Sequence, residues 1–400
     1  MLPGHKETQM EGKFLPVTPE EVRAAGRDVP DFVYVCGDAY VDHPSFGAAI
    51  IGRVLEAAGF VVAMLPQPDY QSCRAMQIFG RPRLGFLVSS GNIDSMVCHY
   101  TAAKKKRTSD YYSPGGKAGL RPDRAVIVYC NRIREAYGDV PIIIGGLEAS
   151  LRRFAHYDYW NNRVRRSILV DSRADILSYG MGEKSILRIA QLLDRGVPVK
   201  KIRDVRGTAY LCKREEEIHY PKVEETYDYD QLKTDKEAYA RAFAIQYKNN
   251  DAISGRAITE YYGDRMLVQN PPMPPLEREE LDRVYALTPC TTRTVASPPY
   301  PRCGFPSPTT GGASEGAISA PWPFIRDGAC AAEASRAWSG RQRSLPPCRT
   351  LRDISTTWAV LRRISATRPA DSSWSGASAR EDGAWCLHPA NIWTRTTANT

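Results

Sequence analysis

Whatever core this chain builds must come from the residues before about Thr288, because beyond that point the sequence no longer has the pattern of a folded protein. Every lysine lies before the break, the last being Lys248, and apolar runs alternate there with charged, helix-like stretches. Beyond it come six of the seven tryptophans and five of the ten cysteines, set among Arg, Ser, Thr, Ala and Pro with no apolar period of 2 or 3.6. A segment of that kind buries too little apolar surface to offset the entropy of ordering it, so residues 288–400 are expected to form a disordered tail.

Before the break the pattern predicts strands alternating with helices. Asp31–Cys36, Phe60–Leu65, Arg83–Ser89, Ala125–Tyr129 and Val140–Ile144 are apolar or β-branched runs between turn residues, and Asp175–Tyr179 is a weaker run of the same kind. Helices are expected near Ser45–Ala58, stopped by Gly59, and over Lys184–Leu193, ended by Gly196 and Pro198. This alternation predicts an α/β fold, a doubly wound and mostly parallel sheet of Rossmann-like type. The expected organisation is an N-terminal extension (1–30), the sheet domain (31–212), a charged helical connector ending in the proline-rich linker Asn270–Leu276 (213–287), and the tail.

A parallel sheet takes its ligands at the carboxyl ends of its strands. There the sequence places Asp38, Asp42 and His43 after the first strand, Gly145, Gly146 and Glu148 after the IIIGG strand, and Gly180, Gly182 and Glu183 after Asp175–Tyr179. Glycine permits close backbone approach, and the following helix offers free N–H groups to an anion; the same glycines equally serve tight strand-to-helix turns. His43 is read as a general base or ligand beside Asp38 and Asp42, against the commoner role of a loop histidine bonded to backbone.

Residues 152–166 interleave Arg152, Arg153, Arg163, Arg165 and Arg166 with aromatic residues. Arginine planes beside aromatic faces suit single-stranded nucleic acid. The favoured expectation is a helix with its aromatics inward and its arginines facing solvent or carboxylates such as Asp158 and Asp171. Lys104–Arg107 opens a polar loop through Gly119; its GGKAG lacks phosphate-loop spacing, and it is read as a lid or docking loop.

The formal charge of +9 would favour a phosphate-bearing partner, but the arginines of the tail inflate it. No stretch has the apolar core of a signal peptide or the roughly 20 apolar residues of a membrane span, so no membrane partner and a cytoplasmic location are expected. Cys36, Cys73, Cys98, Cys130 and Cys212 are widely spaced, form no C-x2-C pair, and are expected to be free buried thiols with no metal bound.

Long blocks carry a more specific signal: GDAYVDHPSFGAAIIGRVLEAAGF (Gly37–Phe60), GNIDSMVCHYTAAKKKR (Gly91–Arg107), YSPGGKAGLRPDRA (Tyr112–Ala125), IIIGGLEASLRRFAHYDYW (Ile142–Trp160), YGMGEKSI (Tyr179–Ile186) and VQNPPMPPLEREELDRVYAL (Val268–Leu287). In these the chain resembles the YgiQ-type radical SAM proteins, from about Phe14 to Leu287. The pairing of IIIGG with YGMGE also resembles the cobalamin-binding-like domain that precedes the barrel in many radical SAM enzymes. The cobalamin signature D-x-H-x-x-G is missing, since Asp42 and His43 are adjacent.

The resemblance implies three cysteines at C-x3-C-x2-C holding a [4Fe-4S] cluster, with S-adenosylmethionine on the fourth iron and cleaved to a 5'-deoxyadenosyl radical. No position here matches those cysteines: Cys290, Cys303, Cys330, Cys348 and Cys386 are too far apart. The genetic code accounts for the loss. When the last base of each codon from Phe305 to Gly328 is joined to the first two of the next, SQSNNRGCFGGCDFCALAFHQGR is permitted throughout. Its cysteines fall at Gly312/Ala313, Gly316/Ala317 and Ser319/Ala320, the required spacing, and its alanine at Trp322/Pro323 is forced. The same shift turns Ile354–Ser365 into IHDVGGPTANF, with a forced glycine at Trp358/Ala359. The expectation is therefore the N-terminal domain of a radical SAM enzyme of unassigned reaction and unknown substrate, out of frame beyond Thr288, binding neither cluster nor S-adenosylmethionine and inactive as translated. The alternative is a module that binds a nucleotide-like, cobalamin-like or RNA ligand without catalysis.

Overall fold

The computed structural model describes residues 14–287 and the backbone of a two-residue strand, Thr294–Val295. The rest of the expected tail, and residues 1–13 of the expected N-terminal extension, lie outside the described residues. Nine strands form the central sheet: β1 (Phe32–Cys36), β2 (Val62–Pro66), β3 (Gly85–Ser89), β4 (Ile142–Ile144), β5 (Ile176–Ser178), β6 (Thr208–Lys213), β7 (Val223–Asp228), β8 (Ala257–Tyr262) and β9 (Arg265–Gln269). Their order is β7-β8-β9-β6-β5-β4-β3-β1-β2. Strands β2, β1, β3, β4 and β5 run parallel, β6 turns antiparallel to β5, and β9 is antiparallel to both β6 and β8. The expected α/β fold with a mostly parallel, doubly wound sheet is present.

The alternation of side chains along each strand explains the two-sided burial. Val33 and Val35 of β1, Phe86 and Val88 of β3, and Ile142 and Ile144 of β4 pack on one face with the helix Ala125–Tyr137. Phe32 and Tyr34, Leu87, and Ile143 pack on the other face with helices Gly47–Ala57 and Glu183–Asp194. Every residue of β1, β2, β3, β4 and β5 is buried, which is why these strands read as continuous apolar runs.

Three expectations are corrected. Ala125–Tyr129 is the start of a helix and not a strand. Its VIV run suggested β structure, but Ala125, Val126, Tyr129, Cys130 and Ile133 fall on one helical face and are the ones buried. The charged connector holds the expected helices, Lys236–Lys248 the longest, but also three strands of the sheet, β7, β8 and β9. Strand β7, VEETYD, sits at the sheet edge, where charged residues are tolerated and blunt further pairing, and this disguised it as linker. Asn270–Leu276 does run without regular structure, and it wraps the sheet: Gly207 N donates to Pro271 O at 2.8 Å and Arg206 Nε to Pro272 O at 2.9 Å. The arginine-rich segment is a hairpin, His156–Asp158 against Arg163–Arg165, and not a helix. No helix among the described residues is long and apolar enough to cross a membrane.

The chain leaves β1 for the edge strand β2, then returns past β1 to β3 and continues to β4 and β5. Crossovers therefore diverge between β1 and β3, and the crevice at the carboxyl ends of those two strands is the place where such a sheet receives ligands.

Candidate functional site

Two glycines let the loops at that crevice close on each other. A Cβ on Gly37 would fall 2.2 Å from the Ser90 carbonyl oxygen, and one on Gly91 would fall 2.0 Å from Asp38 Oδ1. Gly91 also has φ +104°, a conformation open to glycine and strained for other residues. In the space so left, Asp38 Oδ2 accepts from Asn92 N at 2.6 Å and Oδ1 accepts from Arg121 Nη1 at 2.7 Å.

Arg121 is the hub. Its Nη1 also donates to Ser90 O at 3.0 Å, while Nε and Nη2 bind the Asp110 carboxylate at 3.0 and 2.8 Å. Ser113 Oγ donates to Asp110 at 3.0 Å and accepts from Gln67 Nε2 at 2.6 Å. One fully buried guanidinium thus ties the ends of β1 and β3 to the long loop before the helix Ala125–Tyr137, with Gln67 bringing in the end of β2. Burial pushes the Asp38 carboxyl up to about 6, against the pull of Arg121. Burial alone would lower the Arg121 pKa, but Asp38, Cys98 and Asp110 more than reverse that and hold the guanidinium charged.

The other sequence-chosen residues turn inward. Fully buried Glu148 accepts from Ser95 N and Oγ at 3.0 and 2.6 Å and from Val126 N at 3.1 Å. It sits at the N-termini of helices Ser95–His99 and Ala125–Tyr137, where a negative charge is favoured, though burial raises its pKa. Asp94 caps the first of those helices and pairs with Arg152. Asp42 is buried against Arg53, which also holds Glu56 at 2.6 Å. His43 Nδ1 accepts from Ser45 N at 3.0 Å, the backbone-bonding role.

Arg153 reaches Gln269 at 2.5 Å and Ser150 O at 2.7 Å, with its guanidinium over the Tyr179 ring. Gly145 N donates to Val88 O at 3.0 Å; Gly146 and Gly180 adopt positive φ. Gly182 lies against Ile51 and precedes Glu183, the first residue of its helix. In the hairpin, Arg165 and Arg166 bind Asp171, and Arg165 also lies near Asp158, so carboxylate pairing is the arrangement found.

None of the residues chosen from the sequence lines the cavity that lies beside Arg121. That cavity, of about 470 Å³, lies between Tyr70 and Gln71 after β2, Arg132 of the helix Ala125–Tyr137, and residues from Cys98 to Asp123. Lys106, Arg107 and Arg121 line it, with His99, Tyr100 and Asp123. Asp123 accepts from Tyr100 OH at 2.7 Å and faces His99 Nδ1 at 2.6 Å. Trp160 closes the far side of Tyr100, with ring centroids 4.0 Å apart. The loop opened by Lys104–Arg107, expected as a lid or docking loop, thus forms part of a cavity wall, held there by Arg107 N donating to His99 O at 2.7 Å.

The five described cysteines are free. Burial pushes the Cys36 and Cys98 thiols up to about 12, the reverse of what thiolate ligation needs. Among the described residues no three His, Cys, Asp or Glu side chains converge as a metal site, so these residues do not fit a [4Fe-4S] cluster.

Residues 14–297 match the family described as radical SAM N-terminal. The chain is similar to a UPF0313 protein of Clostridium botulinum (strain Okra / Type B1), 57% identical over 278 residues, covering 68% of this chain and 42% of the relative. A UPF0313 protein of Clostridium perfringens (strain 13 / Type A) is 53% identical over 277 residues, covering 69% of this chain and 42% of the relative. The chain therefore matches well under half the length of these curated relatives.

Proposed function

Because the chain belongs to the radical SAM N-terminal family, we propose that it is the N-terminal α/β unit of a [4Fe-4S]- and S-adenosylmethionine-dependent enzyme whose cluster cysteines are encoded but not translated here. The observation that carries this reading is the permitted C-x3-C-x2-C string at Gly312/Ala313, Gly316/Ala317 and Ser319/Ala320, which begins just after the family match ends at residue 297. The donor set of the described residues is compatible with it, since their five cysteines are free and no three possible metal-ligating side chains converge there. In this reading residues 288–400 are out of frame, the chain has no radical chemistry of its own, and its free thiols belong to the reducing cytoplasm.

Within the unit, the Asp38–Arg121–Asp110 cluster serves to fix three loops at the strand ends. Sequencing the gene across codons 285–330 tests the proposal. A single-base insertion or deletion that restores the cysteine string is expected; a gene in which no such change restores it contradicts the reading.

The cavity beside Arg121 favours a second role that needs no cluster: the strand-end loops hold a small ligand. Its place beside Arg121, which ties down the loops after β1 and β3, and its size, about 470 Å³ where small-molecule sites span roughly 300–1,000 Å³, support that role.

A further inference from the structure

We propose that the face at the carboxyl ends of the parallel strands, carrying Val97, Tyr111, Leu151 and Tyr159, is the docking surface for the domain that the shifted frame encodes beyond Leu287. The proposal rests on the frame reading given above and names the face which that domain covers.

The path of the chain after the sheet points to this end of it. The helix Arg278–Leu287 is anchored by Glu280 on Lys184 Nζ at 2.6 Å, at the start of the helix that follows β5. Beyond it, the backbone of Thr294–Val295 pairs antiparallel with Tyr40–Val41, in the loop that follows β1. Both anchors lie at the carboxyl ends of the parallel strands, so the polypeptide that comes next is delivered there. The matched region is 42% of each relative's length, so more than half of each relative lies outside it. A further domain of such length needs a face to pack on, and domain interfaces within one chain bury roughly 600–1,500 Å².

Single exposed apolar side chains are ordinary; a group of them on one held face marks an interaction site. Val97, Tyr111, Leu151 and Tyr159 are between 55% and 73% exposed. Val97 is on the short helix after β3, Tyr111 on the loop that continues from it, Leu151 on the helix after β4, and Tyr159 in the hairpin that follows. Polar bonds tie these segments to one another. Arg152 pairs with Asp94, Arg107 Nε donates to Val97 O at 3.3 Å, and Tyr159 OH donates to Ala102 O at 2.8 Å. Ala39 N donates to Tyr112 O at 2.9 Å, which sets Tyr111 beside the loop holding Tyr40–Val41. Ile93 and Met96, partly exposed, add apolar surface next to Val97. Loops already fixed in this way lose little freedom on docking. Phe243 and Tyr247 are similarly exposed but lie on the helix Lys236–Lys248, which packs on the edge strand β7, and they provide an internal control.

The test compares hydrogen exchange in the chain as translated and in the product of the single-base-corrected gene after cluster reconstitution. Exposed amides of residues 93–113 and 149–160 are expected to exchange at least about tenfold more slowly in the corrected product, and those of the helix Lys236–Lys248 at an unchanged rate. In the corrected product the double variant Val97→Asp/Leu151→Asp, at exposed positions, should restore the faster exchange with unchanged circular dichroism. Phe243→Asp should leave the protection in place.

A corrected product that takes up its cluster but leaves both segments unprotected, or protects the control helix instead, would overturn the docking face and leave the frame reading standing. One that binds no iron would overturn both. Protection of the same segments in the chain as translated, rising with its concentration, would assign the face to a second copy and overturn the proposal. Protection that survives Val97→Asp/Leu151→Asp would place the contact elsewhere and overturn it as well.

Discussion

Arg121 and Asp38 are 83 residues apart in the chain and meet as a buried ion pair, Nη1 to Oδ1 at 2.7 Å, where the crossovers of the sheet diverge. With Asp110 on its other side, Arg121 is the cation shared by two buried carboxylates.

Removing the guanidinium should therefore cost far more than its own contacts. Arg121→Met leaves Asp38 and Asp110 buried without their cation, and breaking such pairs typically costs about 3–5 kcal/mol. Urea unfolding of the variant should show that loss at pH 8 and a smaller one near pH 5, where the stranded Asp38 carboxyl, already raised to about 6, can protonate. A loss below about 1 kcal/mol at pH 8 would mean the cluster is not what ties the loops together.

Gly91 and Gly59 provide a matched pair for the close approach. Both have positive φ, but a Cβ on Gly59 meets nothing within 4 Å whereas one on Gly91 meets the Asp38 carboxylate at 2.0 Å. Gly59→Ala should cost about 1–2 kcal/mol from backbone strain alone. Gly91→Ala should cost at least about 2 kcal/mol more, because the side chain and the carboxylate cannot share the space. Equal midpoints in urea would show that the loop yields freely.

Glu260 should make stability fall as pH rises. Burial pushes its carboxyl up to about 7, against the bonds from Tyr262 and from Ala155 N at 2.8 Å. Between the ordinary glutamate range and about pH 7 the folded state holds a proton that the unfolded chain has released, so deprotonation at higher pH is a loss to the folded state. Glu260→Gln should remove that slope and gain on the order of 2 kcal/mol relative to wild type at pH 8. His156 works in the opposite sense: burial lowers its pKa to about 4, so its contribution is present above about pH 6.5 and lost on acidification through pH 4. The difference between the two urea midpoint profiles from pH 4.5 to 8 isolates the glutamate; a pH-independent difference would contradict the assignment.

The parallel half of the sheet was legible because its strands are buried on both faces and read as unbroken apolar runs, as in the FVYVC of β1. The helix Ala125–Tyr137 was not, because Val-Ile-Val favours β structure locally and only its tertiary partners, Phe86 and Ile142 among them, decide for helix. Strand β7 was hidden by its glutamates, which an edge position accommodates.

At the site, position was legible and role was not. Glycine and acid after a strand marked Asp38 and Glu148, but Glu148 is directed inward by Ser95 and Val126, 53 and 22 residues away in the chain. Such partners cannot be read from spacing. The cavity was missed for the same reason: its wall joins Tyr70, His99, Arg107 and Arg132, which only the crossovers bring together.

On the reading proposed above, this chain carries the N-terminal unit of a radical SAM enzyme and lacks the cluster site because of the reading frame. Anaerobic reconstitution with iron and sulfide, on this chain and on the product of a single-base-corrected gene, tests it most directly. No bound cluster and no S-adenosylmethionine cleavage are expected for this chain, and about four irons per corrected protein, as a single [4Fe-4S] cluster requires. Cluster uptake with S-adenosylmethionine cleavage by the chain as translated, or a corrected product that binds no iron, would contradict it.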